Sequence, residues 1–338
     1  MPNSWQSKYK RVYLENAVAD APLSRAVLER VRPTQVIPIR DYRDVFARPG
    51  QDFAAQKQAP ALILARKKDH LVYPGNTMVQ EMGYAHFAYT AQVLNCLYDC
   101  QYCYLQGMYP SAHVVIFTNQ ADYFAAVDDA LAKRADPSQP LHLALSYDTD
   151  LLGFERMIPL CRDWIAFTRT RPELIVEIRT KSANFAALAD LPASDQVILA
   201  WTLSPDAVIR AHEGLTPPLA RRLAAAQRAQ EAGWPLRLCF DPVLHVPDWQ
   251  TLYDAMVDET FAALDADRVL DVSLGVFRVS RDYYKKMRAQ RRTTLMHSVL
   301  DHRGSTVSYP PDTRDALLTH LRARLALHLS PSKVHTWM

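Results

Sequence analysis

The chain has 338 residues, 49% of them hydrophobic, and a formal net charge of +3; it can bury one large core or two ordinary ones, and its charge neither demands nor excludes an acidic partner. The opening stretch MPNSWQSKYKRVYLEN has basic residues but no apolar signal region, and no run approaches the roughly 18 apolar residues of a membrane span, so a soluble, cytoplasmic protein without a membrane partner is expected. No glycine-rich phosphate loop occurs, and five cysteines without a secretory signal are too few for a disulfide framework.

Residues 1–85 read as an irregular, proline-containing lead-in with short strands at 34–40 and 61–65. From residue 86 onward, strand-like and helix-like runs alternate. A strand at 86–93 leads into a cysteine-rich loop, and a helix follows at 122–134. Strands at 141–147, 174–180 and 197–203 are separated by helical runs at 152–169 and 183–188. Thr216 is placed to cap the next helix, whose first turn takes Pro217 and Pro218 and which stops before Gly233. Leu219, Leu223, Ala226 and Ala229 give that helix an apolar stripe. A fifth strand spans 236–240, Asp248 is placed to cap a helix bearing Trp249, Leu252 and Met256, and a sixth strand spans 269–277. An amphipathic helix at 312–327 ends the chain.

Six strands alternating with helices predict parallel βαβ units. The expected fold class is α/β: a partial (β/α)6 barrel with an N-terminal lead-in and a C-terminal extension, its site at the C-terminal ends of the strands. The regions are 1–85, 86–280 for the barrel, and 281–338 for the basic extension. The cysteine loop follows the first strand, and Thr149, Lys181, Thr202 and Asp241 fall late in their strands or just after them.

Cys96, Cys100 and Cys103 have the spacing C-x3-C-x2-C, with an aromatic residue just before the third. Three thiolates can hold three irons of a 4Fe–4S cluster and leave the fourth open to chelate S-adenosylmethionine, whose reductive cleavage yields a 5′-deoxyadenosyl radical. A structural zinc site is the competing reading. It wants four ligands, often in two pairs. Here Cys161 and Cys239 stand alone, and His86 and His113 lack zinc spacing.

At these residues the sequence resembles the spore photoproduct lyase family of radical S-adenosylmethionine enzymes. The likeness is carried by the cysteine loop with Tyr102, Tyr104, Leu105 and Gln106, then by Asp150-x2-Gly153-x-Glu155 and Thr180-Lys181. It continues through Ser204-Pro205-Asp206-Ala207-Val208-Ile209 with Glu213-Gly214, through Ala232-Gly233-Trp234-Pro235, and through Asp241-Pro242-Val243 to Trp249. It covers about residues 85–280.

The resemblance implies a lyase that repairs a thymine dimer in DNA by hydrogen abstraction, drawing electrons from a low-potential donor such as flavodoxin or ferredoxin. It implies cofactor contacts at Tyr104, Thr149, Lys181 and Thr202, with Ser204 as the alternative to Thr202. Tyr102 and Tyr104 would pass on a hydrogen atom. The family's hydrogen-donating cysteine is absent: its position holds Tyr147. Three explanations follow: Tyr147 donates, Cys239 donates from the face it shares with Asp241, or the substrate differs.

The segment 278–292 carries seven Lys or Arg against one acid, a local charge of +6. Arg278, Arg281, Lys285 and Lys286 suit phosphates, and Tyr283 and Tyr284 suit base stacking, so DNA is the expected partner. A base in duplex must leave the stack to react, and the stretch 301–310 is a candidate wedge. The leading expectation is therefore a radical enzyme repairing a pyrimidine lesion. The alternatives are a radical enzyme for another modified base or a small molecule, and a non-catalytic iron–sulfur sensor that binds DNA.

Overall fold

The structure, a computed structural model, describes residues 4–75, 82–145 and 147–337. The chain divides into two units: Met1–Leu97 with Leu105–Val176, and Tyr98–Tyr104 with Glu177–Met338.

In the first unit, a five-stranded sheet runs in the order Gln35–Ile39, Arg11–Glu15, Leu62–Ala65, Val114–Phe117, Val93–Leu94. The first three pairings are parallel and the last antiparallel. Leu62–Ala65 and Val114–Phe117 are buried along their whole length, which explains their unbroken apolar runs. The lead-in is therefore more regular than its composition suggests, because three of its segments share this sheet with two strands from beyond residue 86.

The run read as one strand at 86–93 is divided. His86–Tyr89 pairs in parallel with Leu141–Ala144, and Val93–Leu94 crosses to the five-stranded sheet. Between them the buried Gln92 accepts a hydrogen bond from Trp164 Nε1 at 2.8 Å, and its carbonyl accepts from the Phe117 amide. The helical run at 152–169 is also divided, into Leu151–Phe154 and Leu160–Thr168. Pro159 sits between them and cannot supply a helical N–H. The strand at 141–147 ends at Ala144, and Tyr147 lies in a turn.

The second sheet has eight strands, and the six predicted ones lie side by side in chain order: His86–Tyr89, Leu141–Ala144, Leu174–Thr180, Val197–Thr202, Leu236–Val243 and Val269–Val276. Sequence reasoning missed both edges. Tyr73–Pro74 adds in antiparallel fashion beside His86–Tyr89, and Val334–Trp337 adds in parallel beside Val269–Val276. The second unit holds a row of charges on this sheet. Arg237 pairs with Asp271 at 2.5 and 2.8 Å, and also with Glu177.

Two helix starts differ from expectation. The helix Leu219–Glu231 has Pro218 at its cap position, and the Asp206 carboxylate accepts from the Leu219 amide at 2.9 Å. Thr216 instead donates to the Glu213 carbonyl at 2.8 Å. Asp248 precedes the helix Trp249–Ala263 with φ of 55° and makes no side-chain capping bond. Beyond the sixth strand, Arg278–Ser280, Thr306–Ser308 and Asp301–Arg303 form an antiparallel three-stranded sheet, so 301–308 is a hairpin turning through Gly304, whose φ is +55°. Among the described residues, no helix is long and apolar enough to cross a membrane.

Candidate functional site

The loop that carries the cysteines is held from both of its ends. In the first unit Asn95 takes φ of 67°, a left-handed conformation that asparagine tolerates better than most residues. Its side-chain amide donates to the Ser111 and His113 carbonyls at 2.7 and 2.8 Å. The Asn95 carbonyl accepts from the Thr149 hydroxyl at 2.8 Å, which ties the turn after Leu141–Ala144 to the residue before Cys96. Lys57 Nζ donates to the Cys96 carbonyl at 2.8 Å, and Lys8 Nζ to the Leu97 carbonyl at 3.0 Å. A side chain on Gly153 would place its Cβ 2.6 Å from Leu97 Cδ2, so the glycine of the Asp-x2-Gly-x-Glu motif leaves room for the loop. The other two members cap helices: Asp150 accepts from the Gly153 amide at 2.9 Å, and Glu155 from the Cys161 and Arg162 amides at 2.7 and 3.0 Å. Burial pushes the Glu155 carboxyl up to about 7, against the pull of those amides.

In the second unit Asp99–Cys100 pairs antiparallel with Glu213–Gly214. The Gln101 amide donates to the His212 carbonyl at 2.8 Å, and Arg291 pairs with Asp99 at 2.5 Å. Around Glu213 lies a buried polar cluster. Its carboxylate accepts from Tyr102, from Ser204 at 2.9 Å and from Arg222 at 2.5 Å. Arg222 also donates to the Thr202 carbonyl at 3.1 Å. Burial alone would raise the Glu213 carboxyl, but Lys181 and Arg222 outweigh it and hold the group below its usual range. Burial opposes the Lys181 ammonium, yet Glu213 and the Cys100 sulfur raise it further, so the lysine stays charged. Burial first, and Glu213 second, keep the Tyr102 phenol protonated well past the ordinary range. Lys181 lies over the Tyr102 ring, 5.6 Å from its centroid.

Cys96, Cys100 and Cys103 are in no disulfide, with Cys96 and Cys103 partly exposed and Cys100 buried. Among the described residues, no group of three or more His, Cys, Asp or Glu is arranged to hold one metal ion. A cubane makes a different demand, since each thiolate bonds a different iron. Three reduced thiols spaced along one loop, with ammonium groups donating to that loop's backbone, are a donor set that fits it.

The spore photoproduct lyase family model matches residues 8–292. The chain belongs to the spore photoproduct lyase family. The Bacillus subtilis (strain 168) spore photoproduct lyase is 24% identical over 179 residues, 53% of this chain and 52% of that enzyme, so the chain spans about half of that relative's length. The Geobacillus sp. (strain Y412MC61) enzyme is 23% identical over 270 residues, 78% of this chain and 76% of its own. Among solved structures, a spore photoproduct lyase mutant superposes with a TM-score of 0.81 at 18% identity, covering 97% of this chain and 98% of that one. Another, with bound AdoMet and dinucleoside spore photoproduct, gives 0.80 at 18% identity over 97% and 98%. The mixed α/β fold is thus that of the family.

The remaining predicted residues fall in distinct settings. Tyr147 tilts against Tyr89 with ring centroids 4.7 Å apart, and Tyr89 stacks on Tyr73 at 4.9 Å. Tyr104 is half-buried. Cys239 is fully buried, and that burial pushes its thiol up to about 12. Arg278 pairs with Asp241 at 3.3 Å. Gly275 makes room for that pair, since a Cβ there would lie 2.8 Å from Arg278 Nη1 and 2.9 Å from Asp241 Oδ1. The basic segment forms the helix Arg281–Gln290, capped by Ser280. Lys285 and Lys286 are exposed, Tyr283 is half-buried, and Tyr284 turns inward with its hydroxyl donating to the Met296 carbonyl at 2.8 Å. Sequence reasoning quoted Glu213 only as part of the family likeness and missed Arg222. The available signal was its place in the helix: Arg222 falls three residues after Leu219 and four before Ala226, on the buried apolar stripe, where a charge needs a partner.

Proposed function

We propose that this chain is a radical S-adenosylmethionine lyase that repairs a pyrimidine lesion in DNA of the spore photoproduct type. The observation that carries the reading is the three-thiol loop, anchored at both ends, in a chain that belongs to the lyase family over residues 8–292. We take the six strands that follow one another from His86–Tyr89 to Val269–Val276, with their helices, as a partial (β/α)6 barrel over residues 86–280, preceded by the lead-in at 1–85 and followed by the basic extension at 281–338, each of which adds one edge strand to the sheet. A reducing cytoplasm, which keeps thiols available, suits it.

Cys96, Cys100 and Cys103 would hold a 4Fe–4S cluster. When bound, that cluster supplies the electron that cleaves S-adenosylmethionine to methionine and a 5′-deoxyadenosyl radical, after reduction by a low-potential protein such as flavodoxin or ferredoxin. Lys181 stays charged and is suited to a carboxylate, with Tyr104, Thr149, Thr202 and Ser204 as further cofactor contacts. Ser204 already donates into Glu213, so its role is to fix that carboxylate as well. Loss of a hydrogen from the lesion leaves a base radical that must gain one back. Tyr147 is the donor we favour over Cys239, because its ring belongs to a stack of phenols whereas Cys239 is sealed inside the sheet. Tyr102, kept protonated, serves the same relay. Arg281, Lys285 and Lys286 would contact phosphates and Tyr283 a base, with the hairpin through Gly304 as the wedge. Arg278 acts on Asp241, and Tyr284 supports the helix from within.

The test is anaerobic reconstitution with iron and sulfide, followed by quantification of both per chain and of 5′-deoxyadenosine after reduction in the presence of S-adenosylmethionine. Iron and sulfide near four each per chain with one 5′-deoxyadenosine per turnover supports the reading. A chain that takes up a single metal ion sinks it.

A further inference from the structure

Two lysines from the lead-in reach the cysteine loop and grip consecutive carbonyls. Lys57, on the helix Phe53–Gln58, donates to the Cys96 carbonyl at 2.8 Å, and Lys8, at the end of the helix Ser4–Lys8, donates to the Leu97 carbonyl at 3.0 Å. Both side chains are half-buried. Each ammonium also lies over an aromatic ring: Lys57 Nζ is 5.9 Å from the centroid of Phe53 and Lys8 Nζ 5.8 Å from that of Tyr9. A backbone carbonyl needs only a neutral donor, and an amide or a glutamine would serve. Placing two ammonium groups side by side in partial burial instead sets like charges against each other, which is unfavourable unless an anion answers them. Burial first, and the charge of Lys57 second, lower the Lys8 ammonium, and the Cys96 sulfur pulls the other way.

We infer that Lys8 and Lys57 are positioning residues that set the reduction potential at the cysteine loop. In the setting of the proposed cluster, on which this inference rests, both ammonium groups favour the state that carries one more negative charge. One electron, arriving from the low-potential donor or from dithionite in the test, adds that charge, and fixed positive charge nearby lowers its cost. No proton transfer is required of either lysine.

The experiment is an electron-paramagnetic-resonance redox titration of the full-length reconstituted protein, comparing wild type with Lys8→Gln, Lys57→Gln, the double variant and Lys57→Arg. Glutamine keeps a donor for the carbonyl and removes the charge. The expected result is a stepwise fall in reducibility, to about tenfold less reduced cluster in the double variant at fixed potential, or ~59 mV for one electron, with Lys57→Arg close to wild type. An unchanged potential in the double variant at full iron content overturns the inference and leaves the cluster reading standing. A shift in Lys57→Arg as large as in Lys57→Gln overturns it as well, because charge is then not the cause. Loss of iron uptake in every glutamine variant, with unchanged far-ultraviolet dichroism, overturns it too and reduces the lysines to a structural clamp. A wild-type chain that takes up no cluster removes the reading itself.

Discussion

Truncating Glu213 to alanine leaves Arg222 as a guanidinium whose side chain, like that of Glu213, is 0% exposed. Its surviving partners are the Thr202 carbonyl at 3.1 Å, the Pro217 carbonyl at 2.9 Å and the Thr216 hydroxyl at 2.7 Å, none of which neutralises charge. Breaking a buried ion pair from one side costs about 3–5 kcal/mol. The Ser204 and Tyr102 hydroxyls lose their acceptor at the same time, so Glu213→Ala should fall near the upper end of that range. Replacing both members, Glu213→Leu with Arg222→Met, removes the uncompensated charge and should restore all but about 2 kcal/mol. Urea unfolding of the metal-free chain, followed by far-ultraviolet dichroism, reads this without interference from cofactor occupancy. The midpoint should move with the slope unchanged. A cost below about 1 kcal/mol for Glu213→Ala, or a double variant as damaged as the two singles combined, would refute the view that this pair anchors the cysteine loop.

Glu155 should tie stability to pH. Its folded carboxyl titrates near 7, above the unfolded value of 4.5, so the folded state holds a proton that the unfolded state releases, and stability should decline as pH rises from about 4.5 to 7. The loss is about 3 kcal/mol, and Glu155→Gln should flatten that slope in thermal melts from pH 4 to 8. Tyr147→Phe should leave 5′-deoxyadenosine formation intact and lower repaired dinucleotide per cofactor cleaved at least tenfold, whereas Cys239→Ser should change neither; the reverse pattern would make Cys239 the donor. Charge reversal at Lys285 and Lys286 should weaken duplex binding and reduce the slope of log affinity against log salt by about 2, measured by fluorescence anisotropy.

Much of the eight-stranded sheet was legible because buried strands announce themselves as short apolar runs bounded by turns: 174–180 matches Leu174–Thr180 end to end. What failed was local. Tyr147 looked like strand because it follows Leu141–Ala144 without punctuation, and only the pairing partner ends the ladder at Ala144. Arg11–Glu15 was invisible because RVYLE alternates weakly and becomes a strand through its neighbours Gln35–Ile39 and Leu62–Ala65. Thr216 and Asp248 have the right chemistry for caps, but Thr216 is claimed by Glu213 and Arg222, and Asp248 adopts a left-handed backbone. In the candidate site, the cysteines were readable from spacing. The residues that hold them in place were not. Lys8 and Lys57 act across 89 and 39 residues of chain, and no local pattern marks a lysine that will meet a carbonyl on another element.

The most direct test of the central claim is a reduced, anaerobic single-turnover assay of the reconstituted protein with S-adenosylmethionine and the synthetic spore-photoproduct dinucleotide. A repair lyase should yield 5′-deoxyadenosine together with recovered thymidylyl-thymidine, and neither product from Cys100→Ala. A full, reducible cluster that forms no 5′-deoxyadenosine would contradict that claim and favour a DNA-binding sensor.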